Sequence, residues 1–226
     1  MVEKEIILLT KSTMINHFCT AGIDTKTGEW VRIVSPDTST QHAVTEADMT
    51  YSDGRVAKVF DVVRVKCLEH RPTFCQPENF LLDRRYHWEW IGTSTMRQVL
   101  QIHKPERNAA IFYNTSYKVS DSDLEKIADK DRHSLTLVDP GKFIVVKEEN
   151  PWSHKLQYFS KFIYCGNTYN FMRITDPVFK AAHDGNPLGQ INNLPDSYFV
   201  VSLANNPIEE HGENMHYKLI ATILHK

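Results

Sequence analysis

The chain has 226 residues, with 26 Lys and Arg against 28 Asp and Glu, for a formal net charge of −2. Hydrophobic residues at 41% and charged residues at 24% place it among ordinary globular proteins rather than fibrous or disordered chains. The length allows one large domain or two small ones without a disulfide or metal staple, and a pI near 6.6 excludes polybasic nucleic-acid binding, for which a domain pI above about 9 is expected.

A local basic groove remains compatible with that balance. The opening Met-Val-Glu-Lys-Glu and the short apolar run Ile6 to Leu9 do not make a signal peptide. No apolar run approaches the roughly 18 residues of a membrane helix, so no membrane partner is expected. Cys19, Cys67, Cys75 and Cys165 form no C-x-x-C pair. They read as reduced thiols of a cytoplasmic protein, and Cys67, His70 and Cys75 fit no usual zinc spacing.

The predicted elements begin with strands over Glu5 to Leu9, Asn16 to Asp24 and Glu29 to Ser35. Asp24-Thr-Lys-Thr-Gly28 between the last two is hairpin chemistry, with Gly at the position that needs a positive φ. Residues 36 to 54 read as a loop. Val56 to Leu68 alternates as a strand, with Lys58, Arg64 and Lys66 on one parity. Residues 72 to 108 read as a helical insert, with short helices over Glu78 to Asp83 and Ser94 to His103. The stretch from 55 to 107 carries ten Lys and Arg against six Asp and Glu, the one clearly basic region.

Ser120-Asp-Ser-Asp123 caps a short helix near 121 to 131. Strands resume over Leu135 to Val138, Phe143 to Val146, Leu156 to Tyr164 and Thr168 to Ile174. Asp176-Pro177 caps another short helix, and strands over Tyr198 to Leu203 and Met215 to Leu224 finish the chain. About ten short strands with few helices predict an all-β fold with minor α content. The expected division is a first barrel over 1–131, carrying the insert, and a second over 132–226.

The segments Cys19-Thr-Ala-Gly-Ile-Asp24, Thr27-Gly-Glu-Trp-Val-Arg32 and Pro36 resemble a bacterial family described as the dual OB-fold domain. Glu149-Asn-Pro-Trp152, Gly166-x-x-Tyr169, Thr175-Asp-Pro177, Val201-Ser-Leu203 and His216-Tyr-Lys-Leu-Ile-Ala221 extend the resemblance over nearly the whole chain. It implies two OB-like barrels and nucleic-acid binding, often in prokaryotic antiviral defence or mobile-element settings. It implies no catalytic residue and no cofactor.

OB barrels stack bases on aromatic rings and track phosphates with Lys and Arg. Trp30 and Arg32 share a strand face, as a base platform with a donor beside it or as a core Trp with a paired Arg. Arg84, Arg85 and Trp88 belong to the basic aromatic motif Arg84-Arg-Tyr-His-Trp-Glu-Trp90, which suits closure over a strand or anchorage of the insert. Trp152 and Lys155 follow Pro151 at a loop-to-strand junction. Tyr169, Phe171 and Arg173 share one parity, and Lys218 sits on the last strand beside Tyr217. The eleven histidines fall in no metal motif, and there is no P-loop, G-x-S-x-G or G-x-G-x-x-G. Asp121, Asp123 and Glu125 read as helix capping rather than a nuclease cluster.

The reading is noncatalytic recognition of single-stranded or modified RNA or DNA, by stacking more than by charge, which predicts modest affinity or dependence on a partner enzyme that brings the substrate. The alternatives are a nucleotide or signalling-nucleotide sensor, a protein-interaction adaptor in a defence system, and an enzyme.

Overall fold

The computed structural model describes residues 1–14 and 16–226 and divides into two compact units, Met1–Lys104 and Pro105–Lys226. The first contains β1 (Val2–Met14), β2 (His17–Asp24), β3 (Trp30–Val34), β4 (Asp61–His70), β5 (Asn79–Leu82), β6 (Glu89–Thr93) and helix α1 (Met96–Ile102). Neighbouring strands run β1-β2-β3-β5-β4, and β4 returns to β1 through Val62–Cys67 against Val2–Ile7. A five-stranded barrel therefore closes, with β6 added beside β4. Every pairing is antiparallel except β3 with β5. This is the Greek-key order of an OB barrel. One long strand serves two neighbours because β1 bends at a register shift between Leu8 and Thr10.

Alternation sends Ile6, Leu8, Val31, Ile33, Val63, Val65 and Cys67 into the barrel core. Val44, Met49 and Tyr51 join them, so the polar stretch after Pro36 is a core-plugging segment with two short 3-10 turns. The stretch expected as a helical insert contributes β5 and β6 to the sheet as well as α1. Glu78 to Asp83, expected as a helix, is instead the strand β5. Its place between β3 and β4 outweighs local helix preference.

The second unit contains β7 (Lys118–Ser120), α2 (Asp121–Glu125), β8 (Leu135–Val138), β9 (Phe143–Glu149), β10 (Leu156–Tyr164), β11 (Asn167–Ile174), α3 (Pro177–Ala182), β12 (Gly189–Ile191), β13 (Ser197–Leu203), β14 (Ile208–Glu210) and β15 (Glu213–His225). Its sheet runs β9-β10-β11-β15-β13-β8, again with one parallel pair, β11 with β15. Strands β8 and β9 are consecutive, separated by a turn in which Gly141 has φ 61°. Together they do what β1 does alone in the first unit: β8 pairs with β13 and β9 with β10.

Asp176 caps α3, its Oδ1 accepting from the N–H groups of Val178 and Phe179 at 2.8 and 3.2 Å. Its Oδ2 accepts from Ile223 N–H at 2.9 Å, which ties the cap to β15. Ser120 caps α2 through Asp123 N–H at 3.1 Å. The division at 104/105 places the helix near 121 inside the second unit rather than at the seam, because β7, which leads into it, pairs with β15.

Candidate nucleic-acid interface

The first hairpin is built to hold itself together. Asp24 Oδ1 accepts from Lys26 and Thr27 N–H at 2.9 and 3.2 Å, and Oδ2 takes Lys4 Nζ at 3.1 Å. Burial works against the Asp24 charge, but these donors outweigh it and hold the carboxyl below the usual carboxylate range. A Cβ on Gly22 would meet Ile7 O at 2.2 Å, so glycine is what lets β2 approach β1. Arg32, expected beside a base platform, is 3% exposed, in register with Ala21 of β2 and Asn79 of β5. Trp30 is half-buried against His103, with ring centroids 5.2 Å apart. A strand lying on the surface does not reach an arginine covered in this way.

The Arg84–Trp90 motif divides between core and surface. Trp88 is buried in the barrel core, which corrects the expectation that it stacks a base. Arg84 Nε donates to Asp48 at 2.7 Å, and Arg85 donates to both oxygens of Asp83 at 2.8 and 2.6 Å. Both cations are already matched, as is Arg64, which faces Glu3, Glu5 and Glu89. The Arg64 charge on β4 is thus neutralised at the surface.

In the second unit, Tyr169 and Lys218 also prove structural. Tyr169 stacks on Phe162 at 5.5 Å and 13°, and its hydroxyl accepts from Ile111 N–H at 2.8 Å. Lys218 is 1% exposed. Its Nζ donates to Ile111 O at 2.6 Å, Asn114 O at 2.7 Å and Asn114 Oδ1 at 2.9 Å. Burial pushes this ammonium down to about 7. These two residues pin the 111–114 loop; they are not a base platform and a phosphate contact.

Arg173 is placed differently. Between Tyr169 and Arg173 the β10–β11 ladder slips, so that Phe162 faces Tyr169 but Ser160 faces Met172. Phe171 lies in this bulge at φ 60°, a left-handed conformation that a bulky side chain rarely adopts. It is 51% exposed. Phe171, Phe159, Arg173, Tyr117, Tyr217 and Ile208 line a cleft of about 500 Å³ on the outer face of β10, β11 and β15. Phe159 meets Phe171 edge-on at 6.4 Å, Tyr117 lies 5.8 Å from Tyr217, and Lys161 Nζ sits 5.1 Å over the Phe171 ring.

Arg173 makes no ion pair among the described residues, and its charge lies close enough to Lys180 to oppose that ammonium. Glu210 accepts hydrogen bonds from Lys118 and from the hydroxyl of Tyr217, which lines the cleft. Phe159 faces Arg173 across the ladder, and β10 begins only three residues earlier, at Leu156. The 150–155 turn therefore lies about 10 Å beyond Arg173 along the strand. That turn presents Trp152, 87% exposed, and the exposed Lys155.

Of the expected residues, Arg173 lines the cleft, and Trp152 and Lys155 lie on the turn that leads into β10. Phe159, Tyr117 and Lys161 were missed. Nothing in the sequence marks the bulge that turns Phe171 outward, and Tyr117 precedes a strand too short to read. Among the described residues no three His, Cys, Asp or Glu side chains gather as a metal requires, and no helix is long and apolar enough to cross a membrane.

The family model described as a dual OB-containing domain matches residues 4–223. No curated protein and no solved structure matches the chain.

Proposed function

The chain belongs to the dual OB-containing domain family, and from that premise we propose that it binds single-stranded RNA or DNA, without catalysis, on the outer face of β10, β11 and β15. In OB barrels the face of the second and third strands, with the loops after the first and fourth, is the usual oligonucleotide surface. Here those strands are β10 and β11, and the loops are 150–155 and 204–212. The observation that carries the reading is Phe171, held out of its own ladder in a strained conformation beside an Arg173 that has no carboxylate partner among the described residues.

A strand lying along this face stacks bases on Phe171 and the Tyr117–Tyr217 pair. Its backbone phosphates meet Arg173, Lys161 and then Lys155, with Trp152 as a last platform. Stacking contributes about 1–3 kcal/mol per base, so two or three bases suffice for useful affinity at a net charge of −2. The modest cation count makes salt dependence shallow, and it fits delivery of the substrate by a partner enzyme. The test is titration of labelled single strands against wild type and Phe171→Ala. Retained affinity in a folded Phe171→Ala variant removes the site. Binding of free nucleotides as tight as of oligomers favours a nucleotide sensor instead.

A further inference from the structure

The exposed part of the Arg84–Trp90 motif takes no part in that face. Tyr86 and Trp90, both exposed, line a separate cleft of about 550 Å³ in the first unit with Tyr51, Asp53, Arg55 and Glu89. Arg55 is held there by Asp53, whose Oδ2 accepts from Nε at 2.8 Å and whose Oδ1 accepts from Arg55 N–H at 3.0 Å. So held, its guanidinium lies 5.0 Å from the Trp90 ring and 5.7 Å from the Tyr51 ring. Lys66 Nζ lies 4.2 Å over Tyr86 and makes no ion pair among the described residues.

Three features of a guest follow from this arrangement. Exposed rings and a fixed guanidinium plane favour a flat π-system. Asp53 and Glu89, both half-exposed, already accept from Arg55 and Arg64, and the lone pairs left on each carboxylate favour an edge that carries N–H donors. Lys66 favours a negative group on the far side of Tyr86. A peptide without an aromatic or arginine side chain lacks the flat body, and a neutral carbohydrate lacks both the flat body and the negative group. We propose that this cleft is a second binding site, one that takes a single nucleotide with an amino-bearing base, adenine, guanine or cytosine, either free or as a residue of a strand. The site is independent of the strand face on the second unit.

Calorimetric titration with AMP, GMP and UMP tests it on the full chain. Saturable binding of AMP or GMP is expected, with UMP about fivefold weaker or more, since its base presents carbonyl oxygens to the carboxylates. Trp90→Ala is expected to weaken AMP or GMP by about tenfold, the loss of one stacking platform, while Phe171→Ala leaves it unchanged. Tyr86→Leu, at an exposed position, gives the same loss if Trp90→Ala melts early. Short adenine and uracil oligomers titrated into a Phe171→Ala, Arg173→Gln variant separate the two sources. Tighter adenine-oligomer than AMP binding assigns the site to a strand residue, and equal binding assigns it to free nucleotide. Absence of saturable binding by AMP, GMP and the adenine oligomer alike, or binding untouched by both Trp90→Ala and Tyr86→Leu, overturns the proposal.

Discussion

Tyr169 and Phe171 stand two residues apart on β11 and yet lie on opposite sides of the sheet. Tyr169 is stacked on Phe162 in the core, and Phe171 is half-exposed in the cleft. Period-two alternation puts such residues on one face. The slip between Ser160 and Phe162 of β10, with Phe171 at φ 60°, inserts the extra residue that separates them. A left-handed Phe costs roughly 1–2 kcal/mol. Strain of this kind gathers at binding sites, where the surrounding structure holds the residue in place.

That strain separates stability from binding. Phe171→Gly relieves the backbone and gives up a side chain that is already half in water, so its melting temperature is expected within a few degrees of wild type. Its affinity for a single strand is expected to fall by about 1–3 kcal/mol, one stacked base. Calorimetric melting alongside anisotropy checks both, and a large loss of stability with affinity intact contradicts the assignment.

Arg173 is expected to act on phosphate. Arg173→Gln removes one cation–phosphate contact, so the slope of log affinity against log salt for a single strand becomes shallower by about 0.7. Titrations at several salt concentrations measure it. An unchanged slope places Arg173 off the backbone track.

Lys218 gives a pH signature of its own. Its folded-state value, about 7, lies below the ordinary 10.5, so between these limits the unfolded chain binds more protons than the folded one. Stability therefore rises with pH across that window, and the penalty for burying the charge is fully present below it. In urea unfolding, the stability of wild type minus that of Lys218→Met is expected to rise from pH 7 to pH 10, by up to about 1.4 kcal/mol per unit. A gap that stays flat denies the buried ammonium this role.

The tryptophans separate core from surface. Trp88→Ala is expected to destabilise the first unit by about 3–5 kcal/mol, as for other buried aromatic truncations. Trp152→Ala is expected to stay within about 0.5 kcal/mol in stability and to weaken strand binding instead. Equal stability losses at the two positions run against the placement of Trp152 on an exposed turn.

Much of the fold was legible because its signals are local. The Gly28 turn, the Asp176-Pro177 cap, the Ser120 cap and the alternation of Val63, Val65 and Cys67 each follow from a few residues. The Cys19–Arg32 resemblance was legible too, but its residues serve the barrel: Gly22 admits β1, Asp24 ties the turn, and Arg32 is covered. Position Asn79–Leu82 was misread because its strand character comes from two distant neighbours, β3 and β4. The cleft was only partly legible. Arg173, Trp152 and Lys155 were found by residue type, whereas Phe159 and Tyr117 reach the site through pairings and a bulge that no local pattern records.

The most direct test of the strand face is fluorescence anisotropy with labelled single-stranded RNA, single-stranded DNA and duplex, on wild type and on a Phe171→Ala, Arg173→Gln variant of matched melting temperature. The account predicts saturable single-strand binding by wild type, weak duplex binding, no displacement by equimolar mononucleotide, and a loss of at least about tenfold in the variant. Equal binding by wild type and variant, or no single-strand binding by wild type at all, contradicts it.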